Sequence, residues 1–375
     1  MRRKIYQELL QWKQRSGESA LLVQGARRVG KSYIVEAFAK AEYKSYILID
    51  FNLVDQPVKE MFEHDLVDLK TFFMKLTTYY GVKLYERESL IIFDEVQLFP
   101  RARSAIKYLV ADGRYDYIET GSLISIRENV KDILIPSEED HVDMYPLDFE
   151  EFLWANGNDT MMDFIRDCYR KKAPLGQALH RKAMDLFRQY LIVGGMPQAV
   201  NAFVKHNDFD EVDRVKRRIL NLYRDDIRKH AKGYEMKVEA IYDEIPSQMK
   251  NQNQHFKLSS LKQGARFDEY KDAMFWLSDA MIVNHCYNAT EPTFGLNLNR
   301  DRTLLKCYMG DTGLLISHAF DENGIVTGEV YKKLLLDKLE VNMGMVMENM
   351  VAQMLTASGH KLYFYSNSSR SDASS

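Results

Sequence analysis

The stretch QGARRVGKS, residues 24–32, sets two glycines with four residues between them and follows them with a lysine and a serine. In that spacing Gly25, Ala26, Arg27, Arg28, Val29 and Gly30 can curl their backbone N–H groups around one anion. Glycine allows this because it adopts dihedrals that other residues avoid. Lys31 reaches the terminal phosphates as a point charge, and the Ser32 hydroxyl completes the shell of a Mg²⁺ ion. A helix beginning at Lys31, with Tyr33 in its first turn, points its positive end at the same anion. The pattern also arises by chance, so its context decides. Here an apolar run, ALLVQ (20–24), precedes it and an amphipathic stretch, KSYIVEAFAKA (31–41), follows, which predicts the required strand, loop and helix.

A second group lies downstream in LIIFDEVQ, 90–97. Four apolar residues run into Asp94 and Glu95. An acidic pair at the end of a buried strand is costly unless it faces a cation or a polar site. Beside a phosphate loop, Asp94 would support Mg²⁺ and Glu95 would polarise an attacking water. The plainer reading is a strand that ends at the surface in an acidic helix cap. With the loop 63 residues ahead of Asp94, ATP with Mg²⁺ is the expected ligand. A third group is the polar end of YIETGS (117–122). Thr120 is the first candidate, and Ser122 the second, for a hydroxyl that senses the γ-phosphate; the plainer reading is a turn at Gly121.

The elements that must position these residues follow from periodicity. Strand-like runs at 20–24, 45–52, 89–95, 115–121 and 141–147 alternate with helical stretches at 31–41, 65–80 and 101–113. Strand and helix in alternation predict a parallel sheet covered on both faces. From Phe149 to about residue 235 helices dominate, and from 236 to 335 three short helical patterns precede strand-like pieces. The last forty residues hold a helix, a strand and a polar tail, NSSRSDASS, whose composition predicts disorder.

Composition bounds the function classes. The 375 residues suggest two or three domains. Basic and acidic residues number 51 and 54, a net charge of -3, which argues against a protein that coats nucleic acid electrostatically. The three cysteines, Cys168, Cys286 and Cys307, form no C-x-x-C pair, so neither a disulfide framework nor a zinc site is expected. MRRKIYQELLQWKQ reads as an amphipathic helix with Ile5, Leu9, Leu10 and Trp12 on one side. It lacks the apolar core of a signal peptide, and a cytoplasmic location is the expectation.

Taken together, GARRVGKS, IIFDEVQ and TGS resemble the ATPase part of the archaeal and bacterial AAA-type ATP-binding proteins that carry a C-terminal domain of unknown function. YPLDFEEFLWANG (145–157) and YLIVGGMPQAV (190–200) are similar to the linker and lid of that family. YRDDIRKHA, IPSQM, FDEYKDAMFWLSDAMIV and KCYMGDTGLL are similar to the domain that follows. The resemblance implies an α/β fold: a P-loop NTPase sheet of the additional-strand, AAA type over 1–150. A helical lid (151–235), a winged-helix-like α+β domain (236–335) and a truncated nuclease-like segment (336–375) would follow. It also implies a lid motif in which Pro197, after Gly194 and Gly195, lies near the adenine; a tight turn between two helices reads equally well.

Two features limit the resemblance. The helix in the place of a DNA-recognition helix, 267–280, carries Asp268, Glu269, Asp272 and Asp279 against Lys271, which phosphates would repel. The basic stretch 214–233 is diluted by Asp225 and Asp226 and reads as a solvated face. Glu348 sits where a nuclease-like fold places its first carboxylate, but its later acidic partners do not follow, so metal-dependent cleavage is not expected. The leading expectation is an Mg²⁺-dependent ATPase whose lid reports nucleotide state to the C-terminal domain. The alternative is a slow nucleotide-gated switch. A protein partner or a second copy is expected, with DNA weakly supported. Arg101, Arg103 and Arg127 are candidates for an arginine finger.

Overall fold

Five apolar runs in the first 145 residues become strands: β1 (Ala20–Gly25), β2 (Ser45–Asp50), β3 (Ser89–Asp94), β4 (Asp116–Gly121) and β5 (Glu139–Met144). All pair in parallel, in the order β2-β3-β4-β1-β5. β4 is thus inserted between the strand that ends in the glycine loop and the strand that ends in Asp94. The computed structural model describes residues 1–15, 17–121, 138–251, 255–291, 293–320 and 343–366. They divide into two units, Met1–Tyr145 and Pro146–Ser375.

β3 is buried along its whole length, because helices cover the sheet on both sides. One face packs Ile47, Ile49, Ile91, Phe93 and Tyr117 against Phe72, Phe73 and Leu76 of α4 (Leu69–Tyr80). Ala102, Ala105, Ile106 and Leu109 of α5 (Pro100–Asp112) complete that core. α2 (Lys31–Glu42) runs against β1 to β4 with Ile34, Val35, Phe38 and Ala39 buried, and these stand outside the first cluster, covering the other face. The N-terminal helix α1 (Ile5–Gln14) buries Ile5, Leu9 and Trp12, while Leu10 is half-buried; its Tyr6 ring packs edge-on to Phe38. The helix expected at 65–80 forms as α4 but starts four residues late, and two shorter pieces precede it. A short α3 (Gln56–Glu60) runs into a π-helical turn, Met61–Asp65, and α4 starts only after Asp68 accepts the Lys70 N–H as its cap.

The second unit opens with five helices: α6 (Phe149–Ala155), α7 (Met161–Lys171), α8 (Gln177–Val193), α9 (Pro197–His206) and α10 (Phe209–His230). The Asp148 side chain and Glu151 cap α6 reciprocally. Then come α11 (Glu235–Lys250) and α12 (Phe267–Asp279), and an antiparallel pair, β6 (Val283–Ala289) with β7 (Arg300–Met309). α13 (Thr312–Ala319) and α14 (Met343–Ala357) follow, and β8 (Leu362–Phe364) joins β6 in parallel. The middle pattern expected at KLSSLKQGA forms a single 3₁₀ turn, Leu258–Ser260. Its two leucines, Leu258 and Leu261, offer too little apolar face to dock a full helix. All three cysteines are buried and free. No helix among the described residues is long and apolar enough to cross a membrane.

Candidate nucleotide site

β1 delivers its last residue, Gly25, beside Met144 of β5. A Cβ at Gly25 would stand 2.3 Å from the Met144 carbonyl oxygen, so only glycine lets the two strands close here. Arg28 (φ 72°) and Gly30 (φ 97°) are both left-handed, which turns the loop back on itself. Gly30 is also the N-cap of α2, and it brings no side chain to cap the first N–H groups of that helix. The Ala26 and Val29 side chains are buried under the loop, whereas Arg27, Arg28 and Tyr33 are exposed. Lys31 is buried. Its ammonium donates to the Gly25 and Ala26 carbonyl oxygens at 2.9 and 3.1 Å, which holds it inside the turn.

The acidic group is within reach of the same helix. Ser32 Oγ donates to Asp94 Oδ1 at 2.8 Å. Thr120 Oγ1 donates to that same oxygen. The parallel register sets Val23 beside Thr120 and Phe93 beside Glu119, so Thr120 stands between the loop strand and the acidic strand. Glu95 has left the strand in a left-handed conformation (φ 53°), and its N–H donates to Thr120 Oγ1 at 3.3 Å. Ser32, Asp94, Glu95 and Thr120 therefore converge, as their types and order suggested. A hydroxyl and a buried carboxylate next to a cationic loop form an oxygen-rich set that fits a hard divalent cation.

One positioning residue escapes sequence reasoning. Arg3 is buried and donates from Nη1 to the Val29 carbonyl oxygen at 3.1 Å and from Nη2 to the Tyr145 carbonyl oxygen at 2.6 Å. It ties the glycine loop to the end of the unit, across separations of 26 and 142 residues. The only local sign was a basic N-terminus, which has many plainer explanations.

Residues 17–153 match the family model of the AAA domain, and residues 184–323 match that of a domain of unknown function (DUF8612). The chain is similar to a Walker-type ATPase of Pyrococcus abyssi, at 13% identity and a TM-score of 0.49, over 85% of this chain and 95% of that one. It is similar to AMPPCP-bound DnaA of Aquifex aeolicus, at 11% identity and a TM-score of 0.34, over 94% and 95%. A third likeness is to the Aeropyrum pernix Orc1 protein in complex with DNA, at 10% identity and a TM-score of 0.31, over 88% and 95%. No curated protein matches the sequence.

Within the first unit the arginine-finger candidates separate. Arg103 is only 2% exposed, and its Nη2 meets Glu139 Oε2 at 2.8 Å, with Glu119 4.0 Å from Nη1. It neutralises a buried acidic pair and cannot reach another molecule. Burial, and then the neighbouring Glu139 carboxyl, push the Glu119 carboxyl well above the ordinary range. Arg101 is exposed, with Nε 3.4 Å from the Phe62 carbonyl oxygen. Arg127 and Ser122 lie outside the described residues, as does the polar tail.

The second unit accounts for its own motifs by packing. Gly194, Gly195 and Pro197 form the joint between α8 and α9, with Pro197 opening α9. Asp311, buried, accepts the Gly195 N–H at 2.6 Å and the Leu314 N–H at 2.9 Å. A Cβ on Gly194 would fall 2.2 Å from Asp311 Oδ1, and one on Gly313 would fall 2.5 Å from the Gly194 nitrogen. VGGMP and GDTGL are therefore two halves of one interlock. Lys216 of α10 is fully buried beside it and donates to the Ile192 and Gly313 carbonyl oxygens at 2.7 and 3.2 Å. Burial pulls its ammonium down to about 8.

Four of the eight Lys and Arg residues in the basic stretch 214–233 pair with acids: Arg214 with Glu211, Arg217 with Asp213, Arg224 with Asp243 and Arg228 with Glu239. α12 exposes Asp268, Glu269, Lys271 and Asp272. Glu348 Oε1 accepts from Lys306 Nζ and Tyr308 Oη, each at 2.7 Å, and no group of three or more His, Cys, Asp and Glu side chains placed to hold a metal occurs among the described residues.

Proposed function

We propose that the protein hydrolyses ATP in an Mg²⁺-dependent reaction and that the second unit reads the nucleotide state. The observation that carries this reading is the convergence of Ser32 and Thr120 on Asp94 beside a glycine loop that holds Lys31. The loop N–H groups and the N-terminus of α2 bind the phosphates. Lys31 exchanges its two carbonyl partners for the terminal phosphates, whose charge it neutralises. Ser32 and Asp94 would hold the Mg²⁺, which supplies charge neutralisation to the phosphates when bound. Glu95 takes a proton from the water that attacks the γ-phosphorus, and the bond from that phosphorus to the bridging oxygen breaks. Thr120 fixes Asp94 and the Glu95 backbone in one geometry.

The acidic face of α12 and the paired state of the basic stretch favour a protein surface, or a second copy, over DNA as the partner of the second unit. A winged-helix-like arrangement of 236–335 would serve such a contact as readily as a nucleic-acid one.

Glu95→Gln tests the assignment. It keeps the shape and removes the base, so ATP affinity should stay within about threefold while steady-state turnover falls roughly 100-fold or more. Unchanged turnover would exclude Glu95 as the base. The same assay separates an ATPase that cycles from a switch that holds ADP tightly and turns over near zero.

A further inference from the structure

Glu95 is gripped at every polar group but one. Its N–H donates to Thr120 Oγ1 at 3.3 Å, and its carbonyl oxygen accepts the Leu98 N–H at 3.0 Å. One carboxylate oxygen, Oε2, accepts from the side-chain amide of Gln97, which sits in the 3₁₀ turn Val96–Leu98 that follows directly. Gln97 is buried while Glu95 stays half-exposed. A carboxylate accepts and does not donate, so the amide must present its NH₂ to Oε2. These grips hold Glu95 in a left-handed backbone that a glutamate adopts only when its surroundings over-determine it. Among the described residues no hydrogen bond reaches the other oxygen, Oε1.

We infer that Gln97 is a positioning residue for ATP hydrolysis: it pins Oε2 of Glu95 so that Oε1 is the oxygen that takes the proton from water. The inference rests on the ATPase reading above. It gives the DE-x-Q spacing of residues 94–97 a chemical role that the two acids alone do not explain. A freely rotating carboxylate samples many orientations, and a base fixed within hydrogen-bond reach avoids that loss.

Two variants of the full chain test it. Gln97→Met keeps the volume and removes the donor; Gln97→Glu replaces the donor with a like charge. Both are compared with wild type and Glu95→Gln, with ATP as substrate and a fluorescent ADP analogue as the affinity probe. For Gln97→Met, kcat should fall about tenfold, with nucleotide affinity within about twofold of wild type. For Gln97→Glu, the like charge should drive the Glu95 carboxylate out of its pinned orientation, so kcat should fall further than in Gln97→Met, again with nucleotide affinity within about twofold of wild type. A role in packing alone would lower affinity and kcat together and would not give this split. Wild-type kcat in both variants, while Glu95→Gln is inactive, overturns the inference and leaves the ATPase reading intact. Faster turnover in Gln97→Met would also overturn it, because the amide would then be restraining the base. Full activity in Glu95→Gln would remove Glu95 as the base and this inference with it.

Discussion

The two units each bury a lysine in a glycine turn, and the two turns do different work. In the first unit Lys31 donates to the Gly25 and Ala26 carbonyl oxygens; in the second unit Lys216 donates to those of Ile192 and Gly313. Each lysine has an aspartate nearby in its own unit, Asp94 or Asp311. The difference lies in where the aspartate points. Asp311 turns into the glycine joint and takes the N–H groups of Gly195 and Leu314, so that turn already contains its anion. Asp94 stays outside its loop and takes two hydroxyls, which leaves the turn for an anion from elsewhere. The same pieces make a closed structural joint in one unit and a receiving site in the other.

The largest expected effect separates the two lysines by function. Lys31→Ala should weaken ATP binding by at least about 100-fold, roughly 3 kcal/mol, in a direct titration. Lys216→Met should leave that affinity unchanged. Equal losses in both variants would dissolve the distinction.

The next effect is steric. A Cβ at Gly195 would stand 2.1 Å from the Leu147 carbonyl oxygen, with backbone on the other side of the clash. Gly195→Ala should destabilise the second unit by about 2–3 kcal/mol in denaturant unfolding. Nucleotide affinity is the control, and a neutral substitution would mean that the interlock yields easily.

The smallest effect is electrostatic and depends on pH. Burial lowers Lys216 to about 8 from an ordinary 10.5. Between those values the unfolded chain binds the proton that the folded chain has released, so stability gains as pH rises through the window. Below about pH 8 both states hold the proton and this gain is absent. The stability of wild type relative to Lys216→Met should therefore rise by on the order of 2 kcal/mol from pH 8 to pH 10. A flat difference would show that the ammonium reaches water.

The receiving site was legible in the sequence for a physical reason that the closed joint lacks. Gly25 to Ser32 fall within one loop and one helical turn, and Asp94 with Glu95 ends one apolar run, so spacing along the chain already is spacing in space. Glu95 with Gln97 is equally local, yet two acids drew attention from the amide beside them. The insertion of β4 between β1 and β3, which places Thr120, was readable from the order of the motifs. Arg3 and Asp311 were not, because their partners lie 142 and 116 residues away and no periodicity records such a pairing. Arg103 failed as a finger candidate for a similar reason. Nothing in RARSAIKYL says which arginine faces the sheet, and Arg103 is the one that meets Glu139. GGMP and GDTG could each be read as a turn, but only the fold shows them to be one contact.

Arg3 has a practical consequence for handling the protein. Its guanidinium holds the Val29 and Tyr145 carbonyl oxygens from the third position of the chain. Proteolytic loss of the first three residues would remove both hydrogen bonds and slacken the glycine loop without touching any residue of the loop. Preparations that differ only at that end can differ in nucleotide affinity, which makes intact-mass measurement of the N-terminus a prerequisite for comparing them.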